Sequence, residues 1–221
     1  METNHAMKFL LALFALVGAV SAGADGLDFI QATSVATMQC LRNNGISFVI
    51  PRIFTSLGTI DQTGINNVKN AHAAGISYID GYLFPCLATR CGSGGQQVKE
   101  ALDALASQGT KIGTIWLDIE RLAWPANHVS NRAFIQSMVN EAQARKQLVG
   151  IYSNYYNWQD IVGLDYTGLS HLPLWWAEYD GEKDFGKYRS FGGWAKPNIH
   201  QWAGDQAGPC GVSVDWNFIP A

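Results

Sequence analysis

The stretch Lys111-Ile-Gly-Thr-Ile-Trp-Leu-Asp-Ile-Glu120 is apolar and β-branched until two acids appear at its end. A buried strand of a parallel barrel reads this way where it reaches the mouth of the barrel. Side chains at i and i+2 of a strand point the same way, with Cα atoms roughly 6.7 Å apart. Asp118 and Glu120 are therefore expected side by side. Two acids that close in a low-dielectric cleft resist ionising together, and one of them holds its proton to higher pH.

Outward from this strand, short apolar runs alternate with helix-like stretches, the signature of a β/α fold. The expected strands are Leu27–Ile30, Phe48–Ile53, Ser77–Leu83, Ile112–Ile119, Leu148–Ser153, Leu174–Tyr179, Asn198–Trp202 and Val212–Phe218. The expected helices are Ser34–Asn43, Thr63–Ala74, Gly95–Ser107 and Ser130–Arg145, with a short one over Tyr156–Val162. Ser34 is an N-cap and Gly45 a stop for the first of them. The fourth starts at Ser130 or Asn131 and ends with Arg145 and Lys146 in its last turn. Helices thin out after residue 165, where Gly, Trp and loop residues dominate. The expectation is one domain from Gly23 to Ala221: an irregular (β/α) barrel of eight strands, with fewer helices than a regular TIM barrel.

The N-terminus reads as a signal peptide. Lys8 precedes the apolar run Phe9 to Val20, and Val20-Ser21-Ala22 offers a small-residue cleavage site, so residues 1–22 are expected to be removed. The run is too short to span a bilayer. The mature chain is thus expected to follow the secretory pathway, outside the cell or to a lysosome or phagosome. Cys40, Cys86, Cys91 and Cys210 are an even set suited to an oxidising compartment. Three pairings are possible. The closeness of Cys86 and Cys91 favours that pair and leaves Cys40 with Cys210, a bridge that would fasten the seam between the first and last strands. No C-x-x-C and no cluster of His supports a metal site, and no cofactor is expected. The net charge of −3 and the absence of a basic run disfavour nucleic acid as a partner.

Functional groups of such barrels gather where strands end. Asp28 lies near the end of the first strand, Asp80 and Tyr82 at the end of the third, and Asp118 and Glu120 at the end of the fourth. Tyr152 and Asn154 end the fifth, Tyr179 the sixth, while Gln201 lies on the seventh and Asp215 on the eighth. A proton donor beside a carboxylate is what hydrolysis of a glycosidic bond requires. Tyr82, Tyr152, Trp175, Tyr179 and Trp202 are placed to stack against sugar rings; Trp116, inside its strand, reads as core.

These residues carry a resemblance. Gly26-Leu-Asp28, Ile115-Trp-Leu-Asp118-Ile-Glu120, Gly150-Ile-Tyr152-Ser, Pro173-Leu-Trp175-Trp-Ala177-Glu-Tyr179, His200-Gln201-Trp202 and Val214-Asp215-Trp-Asn217 resemble successive strands of the glycoside hydrolase family 25 lysozymes. Phe84-Pro85-Cys86 and the cysteine set resemble the branch of that family found in amoebae and nematodes. The resemblance implies cleavage of the β-1,4 bond between N-acetylmuramic acid and N-acetylglucosamine in bacterial peptidoglycan. A monomer is expected, and the sequence leaves open whether its role is digestion or antibacterial defence. The resemblance also implies Glu120 as general acid and Asp118 as the residue that orients the substrate's acetamide or attacks as nucleophile. Asp28 and Asp215 follow as supporting acids, with Tyr82, Asp80, Tyr152, Trp175, Tyr179, Gln201 and Trp202 as substrate contacts. Asp80 departs from the small residue usual on that strand. A chitinase-like barrel is disfavoured because Trp116, not an acid, stands two residues before Asp118. A sugar-binding barrel without turnover is disfavoured because the proton donor is present.

Overall fold

The computed structural model describes residues 23–221, so the expected signal peptide at 1–22 lies outside the described residues. The chain runs β1 (Ala24–Phe29), α1 (Val35–Asn43), β2 (Ile46–Thr55), β3 (Thr59–Ile60), α2 (Gln62–Ala74), β4 (Tyr78–Ile79), β5 (Gly81–Leu83) and α3 (Gly94–Ser107). It continues through β6 (Thr114–Asp118), α4 (His128–Ala144), β7 (Leu148–Ser153), α5 (Tyr155–Ile161), β8 (Leu174–Ala177), β9 (Ile199–Ala207) and β10 (Ser213–Ile219).

The eight expected strands close into one barrel in the order β1-β10-β9-β8-β7-β6-β5-β2, with β2 returning to β1. The barrel is mixed, not all parallel. β10 runs antiparallel to both β1 and β9, while the other neighbours are parallel. The start of β10 therefore meets the ends of the other strands at the mouth. Asp215 reaches that mouth from near the beginning of its strand, directly opposite Asp28 in register. The third expected strand is split into β4 and β5 at Asp80, whose carboxylate accepts from the Thr114 amide at 2.7 Å and the Trp116 indole at 2.8 Å. The short β3 is a hairpin extension of β2 outside the barrel ring.

Strand alternation sorts the core into two layers. Phe48, Ile50, Trp116, Tyr152, Trp175, Ala177 and Ile199 form the cluster inside the barrel. The intervening residues, such as Val49, Ile115, Leu117, Ile151 and Trp176, pack outward in the larger cluster that includes the helices. Gly150 pairs with Trp116 across β6 and β7, and a Cβ there would collide with the Trp116 ring. Glycine at this point lets the large ring fill the barrel.

Each helix begins on a polar cap whose oxygen accepts a backbone N–H of the first turn: Ser34, Asp61, Ser93, Asn127 and Asn154. The fourth helix starts earlier than Ser130 because Asn127 caps it, and Arg145 follows it as the C-cap rather than lying in the last turn. No α-helix follows Ile161 among the described residues; a long loop joins β8 to β9 instead. Cys40 on α1 is bonded to Cys210 in the turn before β10, and Cys86 to Cys91. The first of these ties α1 to the β10 end of the chain, beside the β1–β10 seam. Among the described residues no helix is long and apolar enough to cross a membrane.

Candidate active site

The strand ends and the start of β10 surround a cleft of about 370 Å³. Asp28, Asp118, Glu120 and Asp215 all line it. The first two are buried, each 5% exposed, and the other two are half-buried nearer the opening. Arg52 is the one Lys or Arg side chain along this wall among the described residues. Its Nε is bound to Asp61 at 2.9 Å, so the arginine is a partner of Asp61 and not of Glu120.

The deep acids are held by side-chain amides. Gln201 Nε2 donates to Asp28 Oδ1 at 2.8 Å and to Asp215 Oδ2 at 3.1 Å. The Tyr152 hydroxyl donates to Gln201 Oε1 at 2.7 Å, which fixes the direction of that amide. Asn217 Nδ2 also donates to Asp28 Oδ1, at 2.7 Å, and Asn217 Oδ1 accepts from the Trp175 indole at 2.7 Å. Asp215 Oδ1 accepts the Asp205 amide at 2.7 Å. Asp118 differs: its Oδ1 is buried with no hydrogen-bond partner among the described residues. A buried acceptor left unpaired costs about 1–3 kcal/mol.

All four carboxyls hold their protons above the ordinary range. Burial is the main cause for each. For Asp28 the charge of Asp215 adds to it, and for Asp118 the charges of Glu120 and Asp28 add, with Arg52 pulling the other way. For Glu120 the second cause is Asp215, across the cleft. Asp28 and Asp118 are pushed furthest because they are deepest. Glu120 combines a raised pKa with access to the opening, the pairing that a proton donor to a bound molecule needs.

Local bonds fix the backbone that carries Glu120. Ile119 N–H donates to the Tyr152 carbonyl at 2.9 Å, and the Ile119 carbonyl accepts from Ser153 Oγ at 2.8 Å. The Glu120 carbonyl accepts from the Trp124 indole at 2.9 Å, and the Arg121 amide donates to Asn157 Oδ1 at 3.1 Å. On its far side Glu120 borders a second concavity, of about 320 Å³, which it shares with Tyr152 and Tyr179 and which Asn154, Asn157 and Glu178 complete. Glu120 thus stands between two hollows.

Of the expected contacts, Tyr82, Tyr152, Trp175, Tyr179 and Gln201 line the main cleft. Trp175 is 1% exposed and packs edge-on against Tyr152 and Trp116, so it is floor rather than a stacking platform. Tyr179, 59% exposed, is free to meet a ligand. Asp80 and Trp202 do not line the cleft. Asp80 faces inward but one layer lower, with both oxygens committed to Thr114 and Trp116. Trp202 follows inward-facing Gln201 and so points outward, where it packs on Trp216 beneath the Lys183 ammonium. Asn217, Asp205 and Phe84 belong to the site and were not expected. Strand parity with Asp215 could have found Asn217; no sequence signal marks the other two. Among the described residues no group of three or more His, Cys, Asp or Glu side chains is arranged to hold a metal ion.

The family model for lysozyme-like protein 1 matches residues 20–202. Lysozyme-like protein 5 of Caenorhabditis elegans is 59% identical over 96% of this chain and 99% of its own length. Probable GH family 25 lysozyme 2 of Dictyostelium discoideum is 36% identical over 97% of this chain and 99% of its own. Among solved structures, the bacterial lysozyme of Streptomyces coelicolor superposes with a TM-score of 0.72 at 22% identity, covering 91% of this chain and 94% of that one.

Proposed function

The chain belongs to the glycoside hydrolase family 25 lysozymes, and from that membership we propose that it cleaves the β-1,4 bond between N-acetylmuramic acid and N-acetylglucosamine in bacterial peptidoglycan. The observation that carries the reading is the position of Glu120: half-buried, raised in pKa, and set between two hollows beside an acid whose Oδ1 has no partner.

The sugar on the reacting side occupies the main cleft, and the departing sugar lies toward the second hollow. Glu120 gives its proton to the glycosidic oxygen as the bond to the anomeric carbon breaks. Asp118 Oδ1 accepts the N–H of the N-acetyl group, which supplies the partner that the buried oxygen lacks. So oriented, the acetamide carbonyl oxygen attacks the anomeric carbon and forms a cyclic oxazolinium ion. Glu120, now ionised, takes a proton from water, and the hydroxide so generated opens that ion to leave a reducing muramic acid. Burial first, and then the charge of Asp215, hold the proton on Glu120. With a net charge of −3, long-range attraction does not draw the protein to an anionic wall. Affinity comes from the groove, chiefly from Tyr179 and Tyr82.

The protein acts as a monomer after removal of residues 1–22, outside the cell or in a lysosome or phagosome. The test is turbidity loss of a bacterial suspension by the wild type, with Glu120→Gln as control. Binding without turnover by the wild type would turn the reading toward a sugar-binding barrel. A fluorosugar that became covalently attached to Asp118 would replace the acetamide by Asp118 as nucleophile.

A further inference from the structure

We propose that His200 is a positioning residue: held as an imidazolium, it clamps the loop that presents Tyr179 to the cleft. The inference rests on reading that cleft as the substrate groove. His200 is fully buried on β9, next to Gln201, and faces outward while Gln201 faces the acids. Its Nδ1 lies 2.6 Å from the carbonyl oxygen of Asp184, and its Nε2 lies 2.9 Å from that of Glu178. A carbonyl oxygen can only accept, and a neutral imidazole has only one N–H. In either neutral tautomer one ring nitrogen would turn a lone pair toward a carbonyl at hydrogen-bond distance, in a site sealed from water. Only the doubly protonated ring satisfies both.

A counter-charge is in place. Asp180 Oδ1 lies 3.8 Å from Nε2, its side chain is 6% exposed, and its Oδ2 lies 3.7 Å from Lys187 Nζ. Among the described residues Asp180 is the ionisable side chain of the loop paired with the ring, and Lys187 stands behind it. From β8 the ring meets Trp176, stacked at 4.1 Å, and across β10 its register partner is Phe218, neither of them ionisable. Phe185 closes the remaining edge. The carboxylates of Asp184 and Glu178 turn elsewhere, to Gly186 N–H and to the second hollow.

The clamp brackets Tyr179. The residue before it gives its carbonyl to Nε2 and the residue after it gives its carboxylate. Around the same turn, Glu178 N–H donates to the Gln201 carbonyl and Gly181 N–H to that of Trp202. The Tyr179 ring rests on Gly204, where a Cβ would press into it at 2.7 Å. One segment of β9 thus holds the acids from inside the barrel and the tyrosine from outside it.

The first test is a ¹H–¹⁵N correlation of the imidazoles in the whole mature chain at about pH 7.5, where an ordinary imidazole is mostly neutral, with His200→Gln assigning the signals. Protons on both nitrogens of His200 support the proposal, and a nitrogen without one overturns it, whatever the enzyme cleaves. The second test is kinetic. His200→Gln is expected to raise KM about tenfold, the scale of one charge-assisted hydrogen bond, with kcat changed by less than about twofold. Tyr179→Ala should do the same, and the double variant should be no worse than Tyr179→Ala alone. A fall in kcat at unchanged KM, or additive losses in the double variant, would overturn the positioning role. Failure of the wild type to cleave peptidoglycan would refute the proposed reaction and leave the imidazole signals to decide on His200.

Discussion

Replacing Asn217 by Asp should make the fold sensitive to pH through one bond. In the native chain Asn217 accepts from the Trp175 indole and donates to Asp28 Oδ1, both at 2.7 Å, and is fully buried. The introduced carboxyl has the same shape. When protonated it still accepts from Trp175 and still donates to Asp28, so at about pH 4.5 the loss should be under about 1 kcal/mol. At about pH 7.5 the pair must either carry two adjacent charges or keep an extra proton. Keeping a proton about 3.5 units above an ordinary carboxylate pKa costs at most ~4.8 kcal/mol at 1.36 per unit. Partial relief by water and rearrangement brings the expected loss to roughly 3 kcal/mol, or about 6–12 °C in Tm for a chain of this size. The assay is thermal unfolding of wild type and variant, followed by circular dichroism at both pH values. Equal losses at the two would mean that Asn217 does not donate to a carboxyl.

Three further outcomes follow from the same geometry. Activity should fall as pH rises through the raised pKa of Glu120, and Asp215→Asn should move that fall to lower pH, since the charge of Asp215 helps to raise it; an unmoved limb in the pH–rate profile would contradict this. Burial lifts Asp28 and Asp118 well above the carboxylate range in the folded chain, so stability should be complete below their unfolded pKa values and be lost as pH rises toward the folded ones; urea midpoints that climb from about pH 5 to 7 would contradict this. The Cys40–Cys210 bridge spans 170 residues and the Cys86–Cys91 bridge 5, so paired Cys→Ser variants should lose about 5 and about 2 kcal/mol on the loop-entropy scale; the reverse ranking in denaturant titrations would sink that account.

Much of the barrel was legible because apolar runs and caps are local signals. Leu148–Ser153 could be read to the residue, and Ser34 and Gly45 bracket α1 as their chemistry requires. The direction of β10 was not legible, since no residue on a strand records which way its neighbour runs; Asp215 reaches the mouth for a reason opposite to the one expected. Depth was also hidden. Asp80 and Tyr82 share a face, yet one supports Trp116 and the other lines the cleft. Gln201 and Trp202 are adjacent on one strand and point to opposite faces, so the strand's period turns only Gln201 toward the cleft. The acids Asp28, Asp118, Glu120 and Asp215 were legible as a set, but the amides of Gln201 and Asn217 that bind them together depend on cross-barrel distances.

The proposed bond specificity is read most directly by mass spectrometry of the fragments released from purified peptidoglycan by the wild-type protein. Fragments ending in a reducing N-acetylmuramic acid are expected, and none of them with Glu120→Gln. Fragments ending in a reducing N-acetylglucosamine, or unchanged release by Glu120→Gln, would contradict it.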